Sequence, residues 1–350
     1  MSMMLREIRE QPRVIEKTLK AERKGFERLR RRFEKNRPRL VVLAARGTSD
    51  NAAQFGRYLI EITTGIPVSL AAPSVATLYH ARLQLDGALV AAVSQSGEST
   101  DTNVVLEQAK RAGAFTVGIT NEAGSSLAKL ADFTMHIRGG RERSVAATKT
   151  YTGQLLGFYL LAWSLGADIK MDDLERLPEW AEAALTLEDE IAGRAERYRF
   201  MEQAVVVGRG LNYANAFEWA LKMMETCYVV AERFSQADIL HGPIAMIGQS
   251  FPAFLVAPTG VTWPVMKELA ERLAGLRADT LIVTDESNRA APKSAVKIPV
   301  SLSHRGGLPV EVYTPIPYII AAQLFAAKLA EVKGLNPDQP RGLNKVTLTI

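Results

Sequence analysis

The sequence predicts an α/β fold of two consecutive modules, each a parallel sheet flanked by helices on both faces, and three observations carry this reading. Short apolar runs alternate with amphipathic helical patterns, as in a series of βα units. The order of these segments recurs from residue 204 onward. A hydroxyl-rich turn, Ser94-Gln95-Ser96-Gly97-Glu98-Ser99, separates the apolar run 88–93 from a helical pattern that opens near Thr100. With 350 residues, 47% of them hydrophobic and 23% charged, the chain can bury two ordinary cores and shows no low-complexity stretch.

A helical pattern over 5–33 comes first and contains the basic run Arg28-Leu29-Arg30-Arg31-Arg32, interspersed with glutamates and therefore a solvated helix face, not a nucleic-acid arm. Residues 40–44 read as a buried strand, Arg46-Gly47-Thr48-Ser49 as a turn and 51–62 as an amphipathic helix. A short apolar stretch at 66–70 precedes the strand 88–93, the hydroxyl turn and a helix over 102–111. Strand 116–120, helix 125–130 and strand 133–137 complete the first module.

The second copy runs through strand 204–207, turn Gly208-Arg209-Gly210, helix 214–229, strand 253–257, turn Pro258-Thr259-Gly260, helix 264–273 and strands 280–284 and 296–300. Arg46-Gly47 matches Arg209-Gly210, and Val117-Gly118-Ile119-Thr120 matches Leu281-Ile282-Val283-Thr284. Helical crossovers make each sheet parallel and put ligands at the carboxyl ends of its strands. The expected division is an N-terminal helical segment 1–38, a phosphate-binding module 39–168, a charged helical connector 169–199, a second module 200–334 and a tail 335–350 that contributes to the active site.

Composition excludes several classes. A net charge of +5 spread along the chain suits anionic metabolites without requiring nucleic acid. No uninterrupted apolar leader or run of eighteen apolar residues is present, so a cytoplasmic protein with no membrane partner is expected. Cys227, the only cysteine, reads as a buried thiol. No metal-ligand spacing is visible, and no cofactor is expected.

A strand that ends in hydroxyl residues and opens a helix presents backbone N–H groups and side-chain donors to one point, which suits a phosphate dianion. Ser94, Gln95, Ser96 and Ser99 form one such loop, and Gly47, Thr48 and Ser49 could complete it; either loop alone is more often a helix cap. The second copy has Ala257-Pro258-Thr259-Gly260 instead, so phosphate belongs to the first copy. Glu225 shares a helix flank with Glu218 and Lys222. A surface ion-pair ladder and a buried proton shuttle with raised pKa both remain open at this point. His241, before Gly242-Pro243, falls on a loop, as either ordinary surface or a catalytic imidazole. His304 lies in a Ser-His-Arg-Gly-Gly loop. Lys345 precedes the alternation Val346, Leu348, Ile350, which suggests an ordered tail whose lysine could form a Schiff base with a ketose.

Taken together, these motifs resemble the isomerase half of glutamine-fructose-6-phosphate aminotransferase, built from tandem sugar-isomerase (SIS) domains. Glu7-Ile8-Arg9-Glu10-Gln11-Pro12, Gly47-Thr48-Ser49, Ser94 to Ser99, Val145-Ala146-Ala147-Thr148-Lys149, Ala220-Leu221-Lys222 with Glu225, His241-Gly242-Pro243 and Asp338-Gln339-Pro340-Arg341 with Lys345 follow that family's order. The resemblance implies phosphate contacts from Ser94, Gln95, Ser96 and Ser99, and places Gly47, Thr48, Ser49 and Val145 at the sugar phosphate. It also implies C1/C2 proton transfer by Glu225, ring opening by His241 donated across a homodimer, and a Schiff-base role for Lys345.

Departures from the family pattern shift the expected reaction. Only Met1 to Arg6 precede the isomerase start, so glutamine is not expected to supply nitrogen within this chain. Arg46 replaces a cysteine, Met224 and Leu240 replace lysines, and Ala147 replaces a serine of the synthase pattern. Ala45-Arg46-Gly47-Thr48-Ser49-Asp50 looks more like stand-alone SIS-type amino-sugar-phosphate deaminases. The expectation is therefore a glucosamine-6-phosphate deaminase. Its alternatives are a fructosamine-6-phosphate deglycase, a galactosamine-6-phosphate deaminase/isomerase, and a sugar-phosphate sensor without turnover.

Overall fold

The computed structural model describes residues 1–300, 307–343 and 345. His304 and the apolar alternation after Lys345 lie outside the described residues. Among the described residues, two five-stranded sheets are present. The first contains β1 (Val41–Ala44), β2 (Val68–Leu70), β3 (Leu89–Val93), β4 (Phe115–Thr120) and β5 (Phe133–His136) in the order β2-β1-β3-β4-β5. The second contains β6 (Gln203–Gly208), β7 (Val230–Ser235), β8 (Pro252–Val256), β9 (Asp279–Asp285) and β10 (Val296–Ile298) in the order β10-β9-β8-β6-β7. Every pairing is parallel. Read from the other edge, the second sheet repeats the first strand for strand, as the duplicated sequence order requires. All residues of β1 and β3 are buried whichever face they point to, so helices cover both faces.

The compact units are not contiguous in sequence. The first-sheet unit comprises Arg13–Glu142 and Lys149–Glu175, with Leu343 and Lys345 of the tail. The second-sheet unit comprises Met1–Pro12, Arg143–Thr148 and Arg176–Gly342. The expected N-terminal segment is thus divided after Pro12, and the expected connector after Glu175. The physical reason for the first division is local. Helix Met3–Arg9 has its first amides, Met3 and Met4, bound by the Asp338 carboxylate at 2.7 Å each, which ties it to the tail of the second unit. The next helix, Gln11–Lys35, inserts Phe26 edge-on against Phe133 and stacks Arg32 over Phe115 and Arg30 over Trp163. Arg28, Arg31 and Arg32 are exposed and Arg30 is half-buried, so the basic run is a solvated face even where Arg30 and Arg32 lie over aromatic rings.

Among the described elements that the sequence left unread are two long helices and an edge strand. Helices Lys149–Ser164 and Pro315–Val332 are buried almost all round, so they carry no amphipathic period to detect. Among the described residues, Pro315–Val332 is the one helix long and apolar enough to cross a membrane, but 83% of it is buried inside the protein. Its Phe325 packs with Phe254 and Trp219 at ring-centroid distances of 5.0 and 5.5 Å. Strand β7 is an edge strand with exposed Glu232 and Arg233, and its polar pattern hid it.

Cys227 ends the helix Tyr213–Cys227 and is buried, as expected. Burial pushes its thiol up to about 11, partly offset by the Thr226 hydroxyl. Alkylation near pH ~8 is therefore expected only after unfolding. Stoichiometric labelling of the native chain within minutes, followed by mass spectrometry, would contradict this.

Candidate active site

β1 and β3 are neighbours in the sheet, so the loops at their carboxyl ends lie side by side at the point where strand order reverses. The β3 loop runs from buried Ser94 to Ser99, the N-cap of helix Thr100–Arg111. Ser94 Oγ accepts from the Gly97 amide at 3.1 Å and Ser96 Oγ from the Glu98 amide at 3.2 Å, which folds the loop tightly. Among the described residues, the amides of Gln95, Ser96 and Ser99 have no protein acceptor. Three N–H groups and several hydroxyls thus stand at a helix start without a carbonyl to satisfy them, an arrangement suited to an anion.

Gly97 makes the fold of this loop possible. Its φ is +66°, and a Cβ there would lie 2.1 Å from Ser125 Oγ and 2.9 Å from Thr120 Oγ1. Strain of about 1–3 kcal/mol at such a position would be relieved by displacing the loop. Gly97→Ala is therefore expected to weaken phosphate binding by about tenfold or more, measured by calorimetry. Native affinity in that variant would show that the loop geometry is not what binds.

In the β1 loop, Gly47 has φ +56° and caps helix Thr48–Thr64; Thr48 is half-buried and Ser49 buried. Ser49 Oγ accepts from Gln154 Nε2 at 2.8 Å, leaving its own proton to donate. Burial raises the carboxyl pKa of Asp50 above the usual range, an effect the Arg46 charge partly offsets. Arg46 reaches across to the β3 side, with Nε and Nη2 on Asp101 Oδ2 at 2.9 and 2.6 Å.

The corresponding loop of the second copy is already occupied. Glu311, itself buried, accepts from the amides of Val261 and Thr262 at 3.0 and 2.9 Å and from the Thr262 hydroxyl, at the start of helix Trp263–Gly275. Asp285 accepts from the Thr259 amide at 2.9 Å. Gly260, at φ +141°, leaves no room for a Cβ, which would sit 2.5 Å from Glu311 Cγ. The chain's own carboxylates satisfy the donors that stay open in the first copy. A lone Glu far along the sequence gave no sign of this.

Helix Tyr213–Cys227 supplies Glu225 to the second-sheet unit. Lys222 Nζ lies 2.6 Å from Glu225 and 3.2 Å from Glu218; the side chains of Lys222 and Glu218 are fully buried and that of Glu225 is 22% exposed. The ion-pair ladder exists, but in the interior, with only Glu225 reaching solvent. Burial alone would lower the Lys222 pKa; the two carboxylates more than reverse it and hold the ammonium well above the ordinary lysine range. His241 follows helix Gln236–Leu240 and is exposed, on a loop as its Gly-Pro context implied. Val145, in the same unit, is half-buried, and its amide donates to the Asp338 carbonyl at 3.4 Å.

Lys345 belongs to the first-sheet unit. Its Nζ is 2.7 Å from the buried carboxylate of Glu142, which also accepts from the Thr150 amide and hydroxyl at 3.1 and 2.8 Å. Thr150 lies one turn before Gln154, the residue that donates to Ser49, so one face of helix Lys149–Ser164 serves both the tail lysine and the β1 loop. Glu142, Gln154 and Asp101 were missed from the sequence because each acts through a partner distant along the chain, and Thr150 because it acts through Glu142. Among the described residues, no group of three or more His, Cys, Asp or Glu side chains could hold a metal ion.

The comparisons with known proteins agree with this architecture. Residues 35–164 and 201–333 each match the SIS domain family. The glutamine-fructose-6-phosphate aminotransferase (isomerizing) of Aquifex aeolicus is 34% identical over 354 residues, an alignment that takes in 99% of this chain and 57% of that protein. The chain thus spans little more than half the length of the curated relative it matches. The C-terminal domain of glucosamine-fructose-6-phosphate aminotransferase from Francisella tularensis superimposes with a TM-score of 0.85 at 26% identity, over 97% of this chain and 98% of that one. The glucosamine-6-phosphate deaminase of Thermotoga maritima has the same fold, with a TM-score of 0.76 at 24% identity over 99% and 100% of the two chains. With both sheets in the same strand order and each module matched independently, the chain belongs to the SIS domain family as a tandem of two SIS domains.

Proposed function

We propose that this protein is a sugar-phosphate isomerase that deaminates glucosamine 6-phosphate, giving fructose 6-phosphate and ammonia with water as co-substrate. The observation that carries the reading is the contrast between the two copies. One strand-to-helix loop keeps its donors open for an anion, whereas its counterpart is filled by Glu311.

In this reading Ser94, Gln95, Ser96, Ser99, Gly47, Thr48, Ser49 and Val145 hold the sugar phosphate. His241 takes the anomeric hydroxyl proton and returns it to the ring oxygen, opening the ring. Glu225 then removes the C2 proton and delivers it to C1 while a proton passes from the amine nitrogen to O1, converting the amino aldose to a 1-hydroxy-2-imine. Water adds to the imine carbon, the C–N bond breaks, and ammonia leaves with the ketone formed at C2. Lys345, whose Nζ lies 2.7 Å from Glu142, polarises the carbonyl oxygen. Exposure of His241 is compatible with a homodimer in which it completes the partner's site. In this reading the protein is cytoplasmic; among the described residues, the one helix long and apolar enough to cross a membrane is 83% buried inside the protein.

The test is ammonia release from purified protein with glucosamine 6-phosphate, with galactosamine 6-phosphate and a glycated amino acid phosphate as parallel substrates. Release from the gluco substrate alone is expected. Release only from one of the others reassigns the substrate, and binding of all without turnover makes the protein a sensor.

A further inference from the structure

The phosphate loops are poor in positive charge. Over residues 45–51 and 94–101 the only cation is Arg46, against the acids Asp50, Glu98 and Asp101. Unassisted, three carboxylates beside a phosphate site would repel a dianion, and the structure disposes of them separately. Glu98 is turned away, accepting from the Ser126 amide at 2.9 Å and hydroxyl at 2.7 Å. Asp50 is partly buried, which favours its neutral form. Asp101 is only 1% exposed, in the first turn of the helix capped by Ser99, and Arg46 is its one cationic partner among the described residues.

The pairing is lopsided. Arg46 places both Nε and Nη2 on Asp101 Oδ2, while Asp101 Oδ1 is buried with no partner among the described residues. The Arg46 side chain is 51% exposed, and its Nη1 has no protein acceptor among the described residues. A planar guanidinium pinned through one edge keeps its other donors in a fixed orientation, the geometry that suits a phosphate oxygen. It stands between the two loops, because Arg46 lies one residue before Gly47 and Asp101 two residues after Ser99.

We infer that Arg46 is a phosphate-binding residue of this site, held by the buried Asp101 so that it cancels that carboxylate and offers its free edge to the phosphate. The inference rests on the reading that the 94–99 loop holds a phosphate, but not on which sugar is converted. It makes the site selective for a phosphorylated ligand through a cation that the synthase pattern, with cysteine there, does not supply.

The test is calorimetric binding of inorganic phosphate and of fructose 6-phosphate to the full chain and to R46A, R46K and D101N, alongside thermal denaturation. R46A is expected to weaken both ligands alike, by about 10- to 100-fold, with R46K recovering part of the loss. In turnover the loss is expected in KM, with kcat within about threefold. D101N leaves the site more positive by one charge and is expected to bind phosphate at least as tightly as the native chain.

If the pair merely ties the two loops together, R46A and D101N lose affinity and thermal stability in parallel, and the inference is wrong. It is equally wrong if R46A, or R46K where R46A does not fold, binds phosphate like the native chain. Absence of phosphate binding by the native chain removes the phosphate reading itself and this inference with it.

Discussion

Glu225→Gln is expected to lower kcat for amino-sugar-phosphate turnover by about 10²–10⁴-fold, the usual contribution of a positioned general base. The substitution conserves shape, and its amide oxygen can still accept from Lys222, which lies 2.6 Å from the native carboxylate. What it removes is the capacity to take up and release a proton. Binding of sugar phosphate is therefore expected to stay within about threefold of native, because the proposed phosphate donors belong to the other copy. The decisive measurement is solvent exchange of the C2 hydrogen of substrate, which a proton shuttle catalyses even when later steps are slow. A variant that keeps native turnover or native C2 exchange would assign the proton transfer to another group.

Lys222→Met is expected to destabilise the fold by about 3–5 kcal/mol, the cost of leaving buried carboxylate charge without its cation. Glu218 and Lys222 are both fully buried, 3.2 Å apart, so water cannot take over the missing interaction. The direction with pH follows from the sign of the shift. The pKa of Lys222 is raised in the folded chain, so its contribution is complete below the unfolded lysine value of 10.5 and is lost only as pH rises through the higher folded value. Native stability is thus insensitive to this group near neutrality. Thermal denaturation of native and variant chains at several pH values reads this out. Adding Glu218→Gln to the variant should return part of the stability, because it removes a buried negative charge. No recovery in the double variant would mean that lost packing, not charge, set the cost.

The same helix shows where sequence reading stops. Its period places Glu218, Lys222 and Glu225 on one flank, and that placement is borne out, together with their pairing. Whether the flank faces water is set by the elements packed against it, and here only Glu225 reaches the outside. The helices Lys149–Ser164 and Pro315–Val332 escaped for the converse reason: being apolar on every side, they carry no period at all. β7 escaped because an edge strand keeps polar residues where a central strand would be apolar.

By itself the sequence determined the α/β class, the duplication, the parallel order of the strands, the hydroxyl loop of the first copy and its loss from the second. These are local properties, written in runs of a few residues and in their repetition. Tertiary structure alone decided how the divergent loops are satisfied. Glu311 fills the second loop from 49 residues away, Arg46 meets Asp101 across 55 residues, and Lys345 meets Glu142 across 203. A carboxylate or a guanidinium looks the same in sequence whether it faces solvent or completes a buried ion pair. Only the fold supplies the low-dielectric surroundings and the distant partner that distinguish the two.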